Sequence, residues 1–163
     1  MGGCNEIEGK YCCLRQNTSK LMRGSRYMLD TNIFIYLASD PESLSEDVRC
    51  IIEDYENEFY MSAESMRELV VGYRKKRFST KRWKTPEEML RSITNDFNIW
   101  ILPLKEEHML TLSRLLINEA EDHNDPSDHV IIAHAITEHL PLISSDHKFL
   151  FYRNQGLDLV FNK

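Results

Sequence analysis

The chain has 163 residues, 42% of them hydrophobic, and a formal net charge of −6. That length suits one domain with a real core, and the acidic balance argues against nucleic-acid binding by bulk charge. No run approaches the roughly 18 apolar residues of a membrane span, and residues 1–25 lack the apolar stretch of a secretory signal.

Residues 1–25 show no apolar periodicity and read as a disordered leader before a folded domain at 26–163. Arg26–Leu29 reads as a buried strand. It delivers Asp30, Thr31 and Asn32, and Asn32–Leu37 reads as a short helix closed by Asp40-Pro41. Leu44, Val48, Ile51, Ile52 and Tyr55 recur at helical spacing. Glu58–Met61 is a second strand, and Met66, Leu69, Val70 and Tyr73 give the stripe of another helix. Thr85-Pro86-Glu87-Glu88 is a helix start, with a Thr cap, Pro at the first position and Glu at the third. Ile99–Leu102 is a third strand, ended by Pro103. Met109, Leu112 and Leu116 mark a helix running to about Glu121. Asp125-Pro126 opens the next, through about Glu138. Leu142–Ser144 and Leu157–Phe161 are the last strands. Strands alternating with helices imply an α/β domain with a parallel sheet and right-handed crossovers.

Four acids stand at comparable places in this alternation. Asp30 follows the first strand, Glu68 sits in the helix after the second, Asp128 lies in the first turn of the helix opened by Asp125, and Asp146 follows the strand Leu142–Ser144. If the strand ends share one edge of a parallel sheet, these acids converge there. Crowded carboxylates repel one another. A hard divalent cation, Mg²⁺ or Mn²⁺, removes that cost and leaves positions open for a substrate phosphate. Each acid also has a plainer role. Asp30 can cap the helix after it. Asp128 at a helix N-terminus is favoured by the dipole alone. Glu68 lies off the apolar stripe, where a solvated glutamate is the default, with Glu64 one turn before it as a neighbour or rival ligand. Asp146 can be an ordinary turn residue.

Charge is unevenly spread. Arg74, Lys75, Lys76, Arg77, Lys81, Arg82 and Lys84 form an acid-free run able to bind polyanions whatever the net charge. Cys4, Cys12, Cys13 and Cys50 have no C-x-x-C spacing, which predicts a reduced, cytoplasmic protein. His123, His129, His134, His139 and His147 form no H-E-x-x-H. With His129 and His134 five apart, no zinc site is expected. No nucleophile elbow, Walker A loop or G-x-G-x-x-G is present.

Leu29-Asp30-Thr31-Asn32, the segment Met61–Leu69, Asp125-Pro126-Ser127-Asp128-His129 with Ile131–Ala135, and Leu140–Phe149 together resemble, in order, the motifs of the PIN-domain family, and within it the VapC-type toxins of toxin–antitoxin pairs. The resemblance spans about residues 26–163. Ser144 stands where threonine is commoner, and His129 and His134 replace residues that are often Arg and Gln.

The resemblance implies a three-layer α/β/α fold around a central, mainly parallel five-stranded sheet. It implies a metal-dependent endoribonuclease in which Asp30, Glu68, Asp128 and Asp146 hold one or two Mg²⁺ or Mn²⁺ ions. The metal would activate a water for in-line attack on an RNA phosphodiester. Thr31, Asn32, Ser62, Asp125 and Ser144 would orient these ligands. Arg67 and the basic run would contact RNA or an acidic antitoxin segment, and the toxin would be a homodimer restrained by its antitoxin. Two other readings stay open: a non-catalytic RNA-binding module on the same fold, and a phosphatase of the haloacid-dehalogenase type. The second wants an aspartate where Asn32 stands.

Overall fold

The computed structural model describes residues 24–79 and 81–163. Most of the expected leader, with Cys4, Cys12 and Cys13, lies outside the described residues. Ser25 already joins the fold: its carbonyl accepts from Glu58 N–H at 2.9 Å, and its N–H donates to Asn57 Oδ1 at 3.0 Å.

Five strands, β1 (Arg26–Leu29), β2 (Glu58–Ser62), β3 (Ile99–Leu102), β4 (Leu142–Ser144) and β5 (Leu159–Phe161), form one sheet in the order β3-β2-β1-β4-β5. All four pairings are parallel, with Met28 of β1 between Tyr60 of β2 and Leu142 of β4. A parallel sheet needs both faces covered. The α-helices that cover it are α1 (Thr31–Ser39), α2 (Glu46–Glu53), α3 (Ala63–Arg74), α4 (Pro86–Asn95), α5 (Glu106–Arg114) and α6 (Pro126–Glu138).

Side chains alternate along each strand, so the sheet divides two cores. Leu29, Phe59, Met61, Ile99 and Ile143 face one side, where they meet Ile33 and Phe34 of α1, Val48 of α2, Leu69 of α3, and Met89 and Ile93 of α4. Met28, Leu142 and Leu159 face the other, against Ile131, Ile132 and Ala135 of α6 and against Phe149 and Tyr152 of a 3₁₀ segment, His147–Gln155. The result is the expected three-layer sandwich, with a sheet that is parallel throughout. No helix among the described residues is long and apolar enough to cross a membrane.

Capping chemistry sets several helix starts as the sequence suggests. Thr85 accepts from Glu88 N–H with Pro86 next to it, and Asp125 accepts from Ser127 N–H with Pro126 next to it. The expected helix from Met109 to about Glu121 is shorter, because α5 stops at Arg114. Leu115 leaves helical backbone at φ −67, ψ 129, and the Gln155 side chain takes over the backbone of Leu116, accepting from its N–H and donating to its carbonyl. His108 is the buried residue of α5, so Met109 and Leu116 are exposed, and Glu119–Glu121 forms only a 3₁₀ turn. The last strand is likewise shorter than Leu157–Phe161. Gly156, at φ 101, ends the 3₁₀ segment, and Leu157 N–H turns back to Tyr152.

The strand order reverses between β1 and β4. The chain moves outward from β1 through β2 to β3, then returns to the other side of β1. Ligands of open α/β sheets bind at such a switch point, beyond the carboxyl ends of the strands. Asp30 and Ser144 stand there.

Candidate metal and active site

Asp30 is nearly fully buried just past β1 and does cap α1, its Oδ1 accepting from Thr31 N–H at 2.7 Å. Its other oxygen accepts from Ser144 Oγ, also at 2.7 Å. Ser144 Oγ in turn accepts from Asp146 N–H at 3.1 Å, which ties the end of β4 to both acids. Thr31 donates its hydroxyl to Glu68 Oε2 at 2.6 Å, so adjacent backbone and side-chain donors of one residue hold Asp30 and Glu68. Asp128 comes from the first turn of α6, and Asp146 caps the 3₁₀ segment by accepting from Lys148 N–H.

These carboxylates are close enough to disturb one another. Burial lifts the Asp30 carboxyl to about 7; the Ser144 and Thr31 hydrogen bonds oppose the rise, and the charges of Asp128 and Glu68 add to it. Burial also lifts Asp128 to about 7, reinforced by Asp125, Glu68 and Asp146. Glu68 is raised by burial against the Thr31 hydrogen bond. Ligand oxygens of Glu68, Asp125 and Asp128 lie within 4.8 Å of one another, a set that can hold a metal ion. The donors are all carboxylate oxygens, and their mutual repulsion is what a hard dication relieves. The residues fit the cation that the resemblance implies.

Beside the acids opens a cavity of about 480 Å³. Asp30, Thr31, Asn32, Glu68 and Asp128 form its polar wall, and Ile35, Tyr36, Gly72 and Phe78 form an apolar one, with Arg77 also lining it. At Gly72 a Cβ would sit 2.6 Å from the Phe78 ring, so a larger residue there would displace that ring from the wall.

The PIN-domain family model matches residues 27–155. The chain belongs to the PIN-domain family. Solved structures align with the chain over nearly their whole length. VapBC2 from Rickettsia felis, bound to a DNA fragment from their promoter, is 23% identical with a TM-score of 0.64, covering 85% of this chain and 99% of that one. VapBC-1 from nontypeable Haemophilus influenzae is 24% identical with a TM-score of 0.59, covering 83% and 97%. FitAcB from Neisseria gonorrhoeae is 20% identical with a TM-score of 0.57, covering 83% and 96%. At these identities the likeness is one of fold. No curated protein matches the chain.

In this PIN domain most, but not all, of the residues read from the sequence meet. Asp30, Thr31, Glu68, Asp128, Asp125, Ser144 and Asp146 are joined by the contacts above, and Asn32 lines the cavity. Ser62 does not touch the acids: it caps α3 through Glu64 N–H and bonds to His134 Nδ1 at 2.9 Å. Glu64 is bound to Arg67. Burial raises its carboxyl, but the hydrogen bonds from Arg67 and Ser127 outweigh that and hold it below its ordinary value. Arg67 is spent on this pair and on Ser127. The basic run divides. Arg77 reaches the cavity, Arg74, Lys75, Lys76, Lys81 and Lys84 are exposed, and Arg82 lies 4.7 Å over the Phe97 ring and 3.7 Å from Asp96.

Sequence reasoning missed His123. It is buried and contacts Asp128 Oδ2 through Nε2 at 3.0 Å and the Tyr152 hydroxyl through Nδ1 at 3.1 Å. The D-P-S-D segment drew attention to the acids, while a lone histidine five residues upstream had no periodic or motif signal. A second group was missed because His108 of α5 joins His134 and Glu138 of α6 only in the fold. His108, His134 and Glu138 offer ligand atoms within 4.8 Å. It suits a metal poorly: His108 Nδ1 accepts from Lys105 N–H at 2.9 Å, so Nε2 carries the proton and donates to Glu138 at 3.0 Å. A metal on Nε2 would force a proton onto Nδ1, against that N–H.

Proposed function

We propose that this PIN-domain protein is a metal-dependent endoribonuclease, the VapC-like toxin of a toxin–antitoxin pair, using Mg²⁺ or Mn²⁺. One observation carries the reading: Asp30, Glu68 and Asp128 share a site with Asp125 and Asp146 adjoining, and burial, reinforced by the charges of neighbouring acids, lifts Asp30 and Asp128 to about 7.

Asp30, Glu68, Asp128 and Asp146 would hold the ion. When bound, it supplies a Lewis acid that lowers the pKa of water and stabilises charge on the phosphodiester oxygens. The chain's own residues do the rest. Thr31 and Ser144 fix the rotamers of Glu68 and Asp30, so both carboxylates present set oxygens. The cavity beside them admits a nucleotide, with its apolar wall excluding water from the reacting phosphate. Arg77 supplies a cation where the acids would otherwise repel the backbone of RNA. The likeness to VapBC complexes supports a protein antitoxin as partner, and a cytoplasmic homodimer is the assembly we assign to the toxin.

The test is cleavage of single-stranded RNA by the purified protein with Mg²⁺ or Mn²⁺. Cleavage should stop with EDTA and return with added metal, and Asp30→Asn should abolish it. Cleavage that persists in EDTA and in Asp30→Asn removes the metallonuclease reading. Expression should arrest growth only while the four acids are intact.

A further inference from the structure

We propose that His123, locked by Tyr152, is a positioning residue that presents Asp128 to the metal through a single oxygen, and that it is not itself a ligand. The inference rests on the metallonuclease reading and adds to it the group that orients the third acid.

The hydrogen bonds fix the tautomer. His123 Nε2 lies 3.0 Å from Asp128 Oδ2. With Asp128 ionised, as a metal ligand must be, a lone pair on Nε2 would face the lone pairs of the carboxylate, so Nε2 carries the proton and donates it. Nδ1 then has only a lone pair, and it accepts from the Tyr152 hydroxyl 3.1 Å away. The chain therefore runs in one direction: Tyr152 O–H to His123 Nδ1, then Nε2–H to Asp128. Every donor has an acceptor, as a buried polar chain requires.

The chain is also rigid. Tyr152 has no exposed surface and His123 has 1%. The His123 ring packs edge-on to Tyr152, 5.6 Å between centroids, and lies 5.7 Å from Phe149. The backbone N–H of His123 donates to Asn118 O at 3.1 Å, which anchors the histidine.

Two consequences follow. Ligand atoms of His123, Asp128 and Asp146 lie within 4.8 Å, the spacing of a mixed nitrogen–oxygen site. With its proton on Nε2, His123 has no lone pair to offer there, so the site stays all-oxygen and suits Mg²⁺ or Mn²⁺ over softer ions. Asp128 Oδ2 is engaged by the imidazole, and no hydrogen bond among the described residues engages Oδ1, which leaves Oδ1 for the metal. Outer partners of this kind set ligand orientation and affinity.

The experiment measures Mn²⁺ binding by the loss of the free-ion EPR signal, together with the His123 tautomer by long-range ¹H–¹⁵N NMR. His123→Leu should weaken Mn²⁺ binding by about 10–100-fold, the scale for losing an outer-shell partner. His123→Gln keeps an N–H at the reach of Nε2 and should stay within about threefold of the native protein. Tyr152→Phe should fall between them. In the native protein the imidazole should be the Nε2–H tautomer with Mn²⁺ bound and, without it, at a pH well above 7, where Asp128 is ionised. Unchanged Mn²⁺ affinity in a folded His123→Leu protein, or an Nδ1–H tautomer, overturns the proposal. If His123→Leu does not fold, loss of Nε2–H dominance in Tyr152→Phe and rescue by His123→Gln carry the test. A native protein that binds no Mn²⁺ yet shows the Nε2–H tautomer overturns the metallonuclease reading while leaving the lock in place.

Discussion

Helix α6 carries a buried histidine–carboxylate pair at each end, and the two ends differ in charge balance. At its first turn Asp128 accepts from His123 amid Asp125, Glu68 and Asp146, and its carboxyl rises to about 7. At its last residue Glu138 accepts from His108 with Lys105 Nζ 3.8 Å away. Burial raises the Glu138 carboxyl, but His108 and Lys105 outweigh it, and the group sits below its ordinary value. The same pairing is therefore a finished structural contact at one end and an unfinished one at the other. A carboxylate cluster left without compensating cations is what a metal centre needs before the metal arrives. A pair already neutralised has nothing left to bind.

The largest way to break this contrast is to remove one carboxylate from each end. Asp128→Asn should lower metal-dependent RNA cleavage by at least ~10²-fold, the scale of losing a fixed electrostatic stabiliser in the reacting site. Glu138→Gln should leave cleavage close to native and act on thermal stability, because it touches only the α5–α6 contact. Equal losses from both changes, measured in one cleavage assay with matched circular dichroism, would erase the distinction between the two ends.

Much of this arrangement was legible in the sequence, and the missing parts share a cause. Asp30, Asp125 and Thr85 were readable because a cap acts on residues one to three positions away. The strands were readable because apolar runs bounded by turn residues are local too. Glu68 was the weakest of the four acids on pattern, since it lies off the apolar stripe of α3. Thr31, 37 residues earlier, and the distant acids Asp125 and Asp128 make it part of the site. His123 escaped because its partners are a carboxylate on the next helix and a tyrosine 29 residues on. His108 and the end of α5 escaped for the same reason: Glu138 and Gln155 decide them from a distance. The resemblance implies Ser62 as a residue that orients the acids, but its hydroxyl caps α3 and contacts His134.

A smaller effect concerns pH and stability without metal. A carboxyl raised from 3.8 to about 7 on folding, as in Asp30 and Asp128, binds a proton in the folded state that the unfolded chain has lost. Its stabilisation is complete below the unfolded value and disappears as pH rises through the folded one. Burial lowers His123, His129 and His134, which acts in the opposite direction below their ordinary 6.5. That opposition fades as pH rises past 6.5 and leaves the carboxylates to set the slope. The Tm of the protein in EDTA should therefore fall between pH 6.5 and 8, and saturating Mn²⁺ should remove the fall. Asp30→Asn should flatten the same slope, and Glu138→Gln should not change it. A Tm that rises over this interval in EDTA would mean that the acids at the first turn of α6 are already compensated.

The smallest expected effect locates the positive charge that the acidic end lacks. The run from Arg74 to Lys84 is one patch in sequence and two environments in the fold. Arg77 lines the cavity beside Asp30 and Asp128, whereas Arg82 covers Phe97 and faces Asp96. If Arg77 meets the substrate backbone, Arg77→Ala should reduce the slope of log affinity against log salt by about 0.7, one phosphate contact on single-stranded RNA. Binding would be measured with Ca²⁺ or EDTA, so that cleavage does not enter. Arg82→Ala should leave that slope unchanged and cost up to about 1 kcal/mol of stability, the range of an exposed cation–π contact. The reverse pattern would move the RNA path away from the cavity and onto α4. It would separate the basic run from the carboxylate site that its charge is expected to serve.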